Sequence, residues 1–137
     1  MTRINVIPPS ELSRQHLGAE YRELPRIFGL VRKAILRGEA PDRNAIPAYT
    51  LGKGHVRFFY PLLGYLADRQ ATIVSEMLAR GYSPSHVDCL RALHADIPEA
   101  WWGSWQPSYA AEAINRARIA ERTPAISKVT LGISPTR

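Results

Sequence analysis

Apolar side chains recur every three or four residues over long stretches of this chain, which is the spacing of an amphipathic helix. The first stretch contributes Leu12, Ala19, Leu24, Ile27, Phe28, Val31 and Ile35. The second contributes Phe58, Phe59, Leu62, Leu63, Leu66, Ile73, Val74, Met77 and Leu78. No segment alternates apolar and polar residues as a half-buried strand does. The pattern predicts an all-α fold, a single compact domain with three principal helices joined by irregular connections.

Capping residues set the ends of the predicted helices. Ser10 and Ser108 are of the residue type that accepts a hydrogen bond from the first free backbone N–H groups of a helix. Gly38 and Gly81 can adopt the left-handed conformation that commonly ends a helix. Together with the apolar stripes, these caps place the three helices at residues 10–37, 55–80 and 108–122.

Two prolines lie inside the predicted helices. Pro25 removes a backbone donor from the middle of the first helix and predicts a kink unless another group compensates. Pro61 falls in the first turns of the second helix, where proline is better tolerated. A short helix is predicted at residues 87–94, and residues 123–137 are predicted to form an extended or poorly ordered tail.

The charge of the chain favours a polyanionic partner. Its 137 residues, enough for one domain, carry 18 Lys and Arg against 12 Asp and Glu, a net charge of +6. Residues 1–60 hold ten basic and five acidic side chains, whereas the remainder is nearly balanced. Arginine outnumbers lysine, and a guanidinium pairs with phosphate in two-point geometry. A basic surplus in the N-terminal half favours nucleic acid over a merely solubilising surface.

Several function classes are excluded because their motifs are missing. The sequence has neither a P-loop nor a dinucleotide-binding glycine pattern. The four histidines lack the spacing of a metal site, so we expect no metal and no cofactor. The single cysteine, Cys89, rules out a disulfide framework and is predicted to be buried or inert. No apolar run reaches the roughly 18 residues that a membrane-spanning helix needs.

The segment AEYRELPR contains several charged residues that could form a functional site. Arg22 and Arg26 are four residues apart, so on a helix they share a face, and Glu23 lies between them in sequence. Two arginines at this spacing repel each other, and a phosphodiester along that face would relieve the repulsion. Gln15 and His16 extend the same face by one turn. A solvated surface on which Glu23 neutralises its neighbours is the alternative that spacing alone leaves open.

The sequence also resembles a known family. The resemblance is carried by MTRIN at the start, by QH followed by AEYRELPR, and by GHVRFFY at residues 54–60. The stretch from Arg69-Gln70 through Arg80-Gly81 and the pair Ala117-Arg118 in the third predicted helix are consistent with it. These segments are similar to the phage endonuclease V type of pyrimidine-dimer DNA glycosylase and AP lyase, over most of the chain up to about residue 122. The resemblance implies an all-helical single domain as well.

The resemblance implies a nucleophile at the start of the chain. In this family it is the α-amine of a threonine that is exposed when the initiator methionine is removed, and here that residue is Thr2. An α-amine has a pKa of about 7.7–8.0, against about 10.4 for lysine, so more of it is a free base near neutral pH. Nearby arginines are expected to lower that pKa further. The amine would attack C1′ of a deoxyribose, displace the base and form a Schiff base, after which β-elimination breaks the strand.

The same resemblance assigns roles to further side chains. Glu23 matches the essential carboxylate, to which we assign sugar-ring opening, stabilisation of the cationic transition state and proton transfer. It is expected to be ionised and held by the surrounding arginines. The residues assigned to DNA binding are Arg3, Gln15, His16, Arg22, Arg26, Arg118 and Arg122. The implied partner is double-stranded damaged DNA, and we expect a monomeric cytoplasmic protein, away from membranes, that associates with the nucleoid through DNA.

The C-terminal tail departs from the family and leaves other functions open. The family's tail is rich in aromatic residues and helps recognise the dimer, whereas residues 126–133 contain no aromatic ring. A lyase for abasic or ring-opened purine sites with weak dimer activity is one alternative, and a non-catalytic DNA-binding module is another. Trp101, Trp102 and Trp105 could stack on bases, but packing is their expected role. His55 is expected to start a helix or satisfy core hydrogen bonds rather than contact DNA.

Overall fold

Helices account for the regular structure of residues 3–122, the part of the chain that the computed structural model describes. They are α1 (Arg14–Glu23), α2 (Arg26–Leu36), α3 (His55–Phe58), α4 (Leu63–Ala79), α5 (Leu90–Leu93) and α6 (Tyr109–Arg122). Short 3-10 turns lie at Pro9–Glu11 and Glu99–Trp101. Within residues 3–122 no strand is formed, so the predicted all-α class is confirmed. The predicted tail at residues 123–137 lies outside the described residues, as do Met1 and Thr2.

The first helix begins later than predicted. Ser13, and not Ser10, caps α1, because Ser13 Oγ accepts a hydrogen bond from the His16 N–H at 3.1 Å. Ser10 instead belongs to the 3-10 turn, which ends at Leu12. Leu12 has extended backbone angles and a buried side chain. The extended backbone at Leu12 therefore separates the 3-10 turn from α1.

Pro25 divides the first predicted helix into α1 and α2. Because proline has no N–H, the Tyr21 carbonyl loses the donor that would continue the helix. The side chain of Gln70 in α4 replaces that donor, with Nε2 donating to Tyr21 O at 3.1 Å. Leu24 and Pro25 keep right-handed helical angles. The interruption is therefore a local break in backbone hydrogen bonding, compensated by one side chain.

Pro61 breaks the second predicted helix completely, so that α3 is a single turn and α4 begins at Leu63. The Pro61 carbonyl accepts a hydrogen bond from the Gly103 N–H at 3.0 Å, and the Gly103 carbonyl accepts one from the Tyr65 N–H at 3.1 Å. A Cβ at residue 103 would collide with Pro61 O, so this close approach requires glycine. The Gly103 backbone thus pairs with the Pro61 carbonyl and the Tyr65 N–H, two groups that would bond to each other in a continuous helix.

The hydrophobic core is formed by α1, α2, α4 and the segment before α1. Its largest fully buried apolar side chains are Phe28, Phe59, Ile4, Leu17, Leu24, Ile27, Leu63, Leu66, Ile73 and Val31. Trp101 and Trp102 are buried and Trp105 packs against this core, which confirms their predicted packing role. Leu78, which the pattern assigned to the apolar face of the second helix, is exposed.

The helix ends at Gly38, Gly81 and Ser108 are as predicted, whereas the environment of Cys89 is not. Gly38 and Gly81 follow α2 and α4 with φ of 86°, as the predicted helix ends require. Ser108 caps α6, since its Oγ accepts from the Ala111 N–H at 3.0 Å. Cys89 was predicted to be buried or inert, and its burial is wrong: it is exposed, while α5 begins after it and buries Leu90. No helix among residues 3–122 combines the length and the apolar character needed to cross a bilayer.

Candidate active site

The segment before α1 enters the core without forming a helix or a strand. Ile4, Asn5, Val6 and Ile7 are all buried, between 0% and 4% exposed. Buried backbone N–H and C=O groups need hydrogen-bond partners, and a segment outside regular structure must find them elsewhere. In this protein the partners are side chains from distant parts of the sequence.

Ile4 is held by two aromatic side chains. Its N–H donates to His55 Nε2 at 2.8 Å, and its carbonyl accepts from Tyr49 OH at 3.1 Å. His55 Nδ1 lies 2.8 Å from Thr50 O, which can only accept. Since Nε2 accepts a hydrogen bond and Nδ1 must donate one, His55 is neutral with its proton on Nδ1. Burial lowers the pKa of His55, which also favours the neutral form. As predicted, His55 starts a helix and makes core hydrogen bonds.

The next residues are held from α6 and α4. Asn115 Oδ1 accepts from the Val6 N–H at 2.7 Å and from the Ile7 N–H at 3.3 Å. Asn115 Nδ2 donates to Asn5 Oδ1 at 2.8 Å. Arg69 Nη1 donates to the Ile7 carbonyl. The segment is thus fixed only when α4 and α6 have packed against it.

A buried ion pair continues this network below α1. Glu20 Oε2 accepts from Arg69 Nε at 2.9 Å, and Glu20 Oε1 accepts from Arg69 Nη2 at 3.0 Å and from Asn5 Nδ2 at 2.9 Å. The side chains of Glu20 and Arg69 are 0% and 6% exposed. Burial alone would lower the pKa of Arg69, but the adjacent Glu20 outweighs it and the pKa is raised. Each carboxylate oxygen has a charged donor, as a buried charge requires.

A cavity of about 410 Å³, which we call the N-terminal cavity, opens beside this network. Its lining residues are Arg3, Asn5, His16, Ala19, Glu20, Glu23 and Arg122. Four of the site residues predicted from the sequence, namely Arg3, His16, Glu23 and Arg122, therefore meet at one place. The periodicity of α1 explains part of this, since His16, Glu20 and Glu23 are spaced by four and three residues and share a face.

Positive charge converges on the N-terminal cavity. Burial lowers the pKa of Arg3, and repulsion from Arg118 and Arg122 lowers it further. Burial also lowers the pKa of His16, and the charge of Arg3 contributes in the same direction. Mutual repulsion of this kind is relieved when an anion binds among the cations. The arrangement therefore suits a phosphate group.

Glu23 is a partly buried carboxylate with no direct partner in the part of the chain that the structure describes. The expectation that surrounding arginines hold Glu23 is wrong as far as contacts within residues 3–122 are concerned. Arg22 follows a different face of α1, where its Nη1 lies 3.3 Å from the position that a Cβ would take at Gly18. The Glu23 carboxylate is therefore left available to a ligand in the cavity.

The other predicted DNA-binding residues do not line the N-terminal cavity. Gln15 and Arg26 are exposed, and Arg22 lines a separate cavity on another face of α1. Arg118 does not line the cavity either, although its charge acts on Arg3. The predicted shared face of Arg22 and Arg26 is interrupted by the break at Pro25.

Sequence reasoning missed the residues beneath the cavity: Asn5, Tyr49, Glu20, Arg69 and Asn115. One signal was available, because Glu20 falls in the apolar stripe between Leu17 and Leu24, where a charge must be paired if it is buried. The asparagine pair gave no signal, since its members are 110 residues apart. Within residues 3–122 no cluster of three or more His, Cys, Asp or Glu side chains could hold a metal ion.

A comparison with protein-family models adds an independent finding. Residues 1–89 match the family described as pyrimidine dimer DNA glycosylase. The match extends over more than half of the chain, and it contains every residue of the N-terminal cavity except Arg122.

Proposed function

We propose that this chain, which belongs to the pyrimidine dimer DNA glycosylase family, is a bifunctional DNA glycosylase and AP lyase for cyclobutane pyrimidine dimers in duplex DNA. The observation that carries the proposal is that Arg3 and Glu23 line one cavity surrounded by basic side chains. An amine one residue before Arg3 would be tethered near the Glu23 carboxylate. We assign the nucleophile to the α-amine of Thr2, after removal of Met1.

The charges around the cavity favour the reactive form of that amine. Arg3, Arg118 and Arg122 already repel one another. An ammonium group among them would add a further positive charge, so the neutral amine is favoured. The lone pair of a neutral amine is what attack on carbon requires.

The first half of the proposed reaction exchanges bonds at C1′. The amine lone pair forms a bond to C1′ while the glycosidic bond breaks, and its electron pair leaves with the base. The Glu23 carboxylate takes up the proton that the amine loses, and the departing base takes a proton from water. The C1′–O4′ bond then opens, O4′ receives a proton, and the nitrogen lone pair forms the C=N bond of a protonated Schiff base. Glu23 delivers the proton to O4′ and stabilises the positive charge.

The second half of the proposed reaction breaks the strand. The Glu23 carboxylate removes a proton from C2′, which the C=N⁺ group makes acidic. The electron pair moves toward C3′ and the C3′–O3′ bond breaks, with the electron pair leaving on the 3′ phosphate. Water hydrolyses the remaining imine and restores the amine.

DNA binding in this proposal uses cations on and around the cavity. Arg3, Arg118 and Arg122 would hold the phosphates at the reacting nucleotide, and His16 would help position the lesion strand. The exposed Gln15, Arg22 and Arg26 would contact the flanking backbone. Such phosphate contacts fix the register of the protein on the duplex without reading its sequence.

Borohydride trapping tests the mechanism on two duplexes, one with an abasic site and one with a thymine dimer. We expect a covalent adduct on both with the free Thr2 amine, and none when that amine is blocked by N-terminal acetylation. An adduct on the abasic site alone would favour the second candidate function, an abasic-site lyase, which the non-aromatic residues 126–133 support. DNA binding without any adduct would leave a non-catalytic binding module.

A further inference from the structure

The backbone of Ile4 is held at both of its polar groups, two residues after the proposed nucleophile. Its N–H donates to His55 Nε2 at 2.8 Å, and its carbonyl accepts from Tyr49 OH at 3.1 Å. The first bond holds the planar peptide unit that runs from Arg3 Cα to Ile4 Cα. Only the ψ and φ torsions of Arg3 and the ψ torsion of Thr2 then separate this plane from the Thr2 α-amine. The position of that amine therefore depends on where His55 and Tyr49 hold Ile4.

The loop before α3 orients the His55 ring. Gly54 has a φ of 89°, which a side chain rarely adopts, and it lets α3 begin at His55. A Cβ at Gly54 would also lie only 3.2 Å from Ile46 Cδ1. On the far side of the ring, His55 Nδ1 lies 2.8 Å from the Thr50 carbonyl, to which it donates. The nitrogen that meets the Ile4 N–H is thus placed by residues that do not line the N-terminal cavity.

Aromatic packing keeps Tyr49 and His55 in place. They are 6% and 3% exposed, and their ring centroids lie 5.5 Å apart at an interplanar angle of 77°. Tyr49 stacks on Trp105 at 6.2 Å, and His55 meets Phe59 edge-on at 5.7 Å. Such edge-to-face and stacked pairs are favourable arrangements of aromatic rings. Neither Tyr49 nor His55 lines the N-terminal cavity, so any effect on a reaction there is transmitted through the Ile4 backbone.

We propose that Tyr49 and His55 are positioning residues, which set where the Thr2 amine meets C1′ of the deoxyribose. The inference rests on the proposed function for the reaction at that amine. Attack requires the reacting atoms to be about 3–3.5 Å apart and aligned, and a displacement of about 1 Å costs about 10²-fold in rate. The two rings meet this requirement by holding one N–H and one C=O group, without contact with the DNA.

The rate of borohydride trapping under single-turnover conditions, on a duplex with one abasic site, tests this role. His55→Leu removes the acceptor for the Ile4 N–H, and we expect adduct formation to become about 10- to 100-fold slower. His55→Gln offers an acceptor to Ile4 and a donor to Thr50, so the rate should return to within about threefold of the wild type. Equilibrium binding of the duplex should change by less than about threefold in both variants, since cations make the phosphate contacts.

The amplitude of the trapping reaction distinguishes positioning from a merely structural role. Loss of folded protein lowers the fraction that forms an adduct and leaves the rate constant of the remaining molecules unchanged. Tyr49→Phe, which removes a single hydroxyl, is expected to lower the rate constant about tenfold at full amplitude. Tyr60→Phe is the matched control, because that ring lies 5.1 Å from the Arg57 guanidinium and does not line the cavity. Wild-type rate constants in Tyr49→Phe and His55→Leu, or no recovery in His55→Gln, would overturn the proposal.

The titration of the amine separates the positioning role from the proposed chemistry. Protein that begins with Thr2 is reductively methylated with isotope-labelled formaldehyde, and the terminal amine is titrated by NMR. Repulsion from Arg3, Arg118 and Arg122 should lower the pKa of this amine in the wild type. In His55→Leu the pKa is expected to rise toward its ordinary value, because the amine is no longer held among these charges, and His55→Gln should restore the low value. This pattern without any adduct removes only the proposed chemistry, whereas adduct formation with equal rates and equal pKa values removes only the positioning role.

Discussion

Glu20 and Glu23 lie one turn apart on α1 and line the same cavity, yet their surroundings are opposite. Glu20 is fully buried, and both of its oxygens accept hydrogen bonds from Arg69, one of them also from Asn5. Glu23 is partly exposed and has no partner within residues 3–122. The difference comes from α4 and from residues 4–7, which we call the N-terminal segment. Both contact the Glu20 carboxylate, and neither contacts the Glu23 carboxylate.

This contrast shows how one helix face serves two purposes. The paired carboxylate holds the N-terminal segment against α4, and the unpaired one faces the space where a ligand would bind. A carboxylate whose oxygens accept from donors within the fold is less accessible to a proton on a ligand than one without such partners. Both residues are glutamates on the same face of α1, so the partner of each carboxylate decides its role.

The largest expected effect is the loss of strand cleavage when Glu23, rather than Glu20, is replaced. Glu23→Gln keeps the shape of the side chain and removes the ionisable group, so strand cleavage is expected to fall by about 10²–10⁴. The free energy of unfolding should change by less than about 0.5 kcal/mol, because no protein contact is lost. Single-turnover cleavage and urea unfolding measure the two quantities. Full activity in this variant would remove Glu23 from the proposed mechanism.

The next effect is on stability. Glu20→Gln leaves the buried Arg69 without its counter-charge, and breaking a pair of this kind costs about 3–5 kcal/mol. Urea unfolding measures the loss. Glu39→Gln is the control, because it removes a carboxylate from exposed pairs with Arg37 and Arg57 and should matter little. If both variants lost equally little stability, the buried pair would not be what holds the N-terminal segment.

A smaller effect is expected on DNA affinity. Arg122→Ala removes one cation from the rim of the N-terminal cavity and should weaken binding about three- to tenfold, while reducing the slope of log K against log salt by about 0.9. Titrations at several salt concentrations measure both. Arg37→Ala, which removes an arginine already paired with Glu39, should leave the slope unchanged. Equal slopes in the two variants would place the phosphate contacts elsewhere.

The smallest effect is the pH dependence of stability that comes from His55. The pKa of His55 is lowered by burial, so the folded state binds fewer protons than the unfolded state below about pH 6.5. Stability should therefore be constant above that pH and fall as the pH drops through it, by at most about 1.4 kcal/mol per pH unit. His16 and His94, whose pKa values are also lowered, add to the same trend.

His55→Gln isolates the contribution of that residue. Glutamine offers a neutral acceptor for the Ile4 N–H and a donor for Thr50 O, and it does not titrate. Unfolding free energies measured from pH 8 to pH 5 should show a shallower decrease in the variant than in the wild type. If the unfolding free energy of the variant fell with pH as steeply as that of the wild type, protonation of His55 would not be a source of the pH dependence.

Predictions from the sequence succeeded where the physical cause is local. Gly38, Gly81 and Ser108 end or begin helices through their own backbone or side-chain chemistry. The break at Pro25 was anticipated, but its compensation depends on Gln70, which is 49 residues from the Tyr21 carbonyl that it binds. Near Pro61, α3 ends and the backbone of Pro61 and Tyr65 pairs with Gly103, which lies far along the chain. Partners from distant segments are not encoded in any local pattern.

The residues of the candidate site also fall into those that local spacing predicts and those that only the fold brings together. Residues of one helix face, such as His16 and Glu23, could be grouped from their spacing, and the resemblance added Arg3 and Arg122. Arg22 was placed with them, although the 3.6-residue period turns it toward another cavity. Asn5 and Asn115 could not be paired from the sequence, because only the folded chain brings them together.

The hydrogen bonds of Val6 have a consequence for biosynthesis. Its N–H group binds Asn115, which is 109 residues later and therefore leaves the ribosome long after it. The start of the chain is made first and receives its last partner only when α6 has been translated and docked. A nascent or truncated polypeptide that lacks α6 leaves the Val6 and Ile7 N–H groups without this acceptor. Translation through α6 is thus a condition for fixing the segment that leads into the N-terminal cavity.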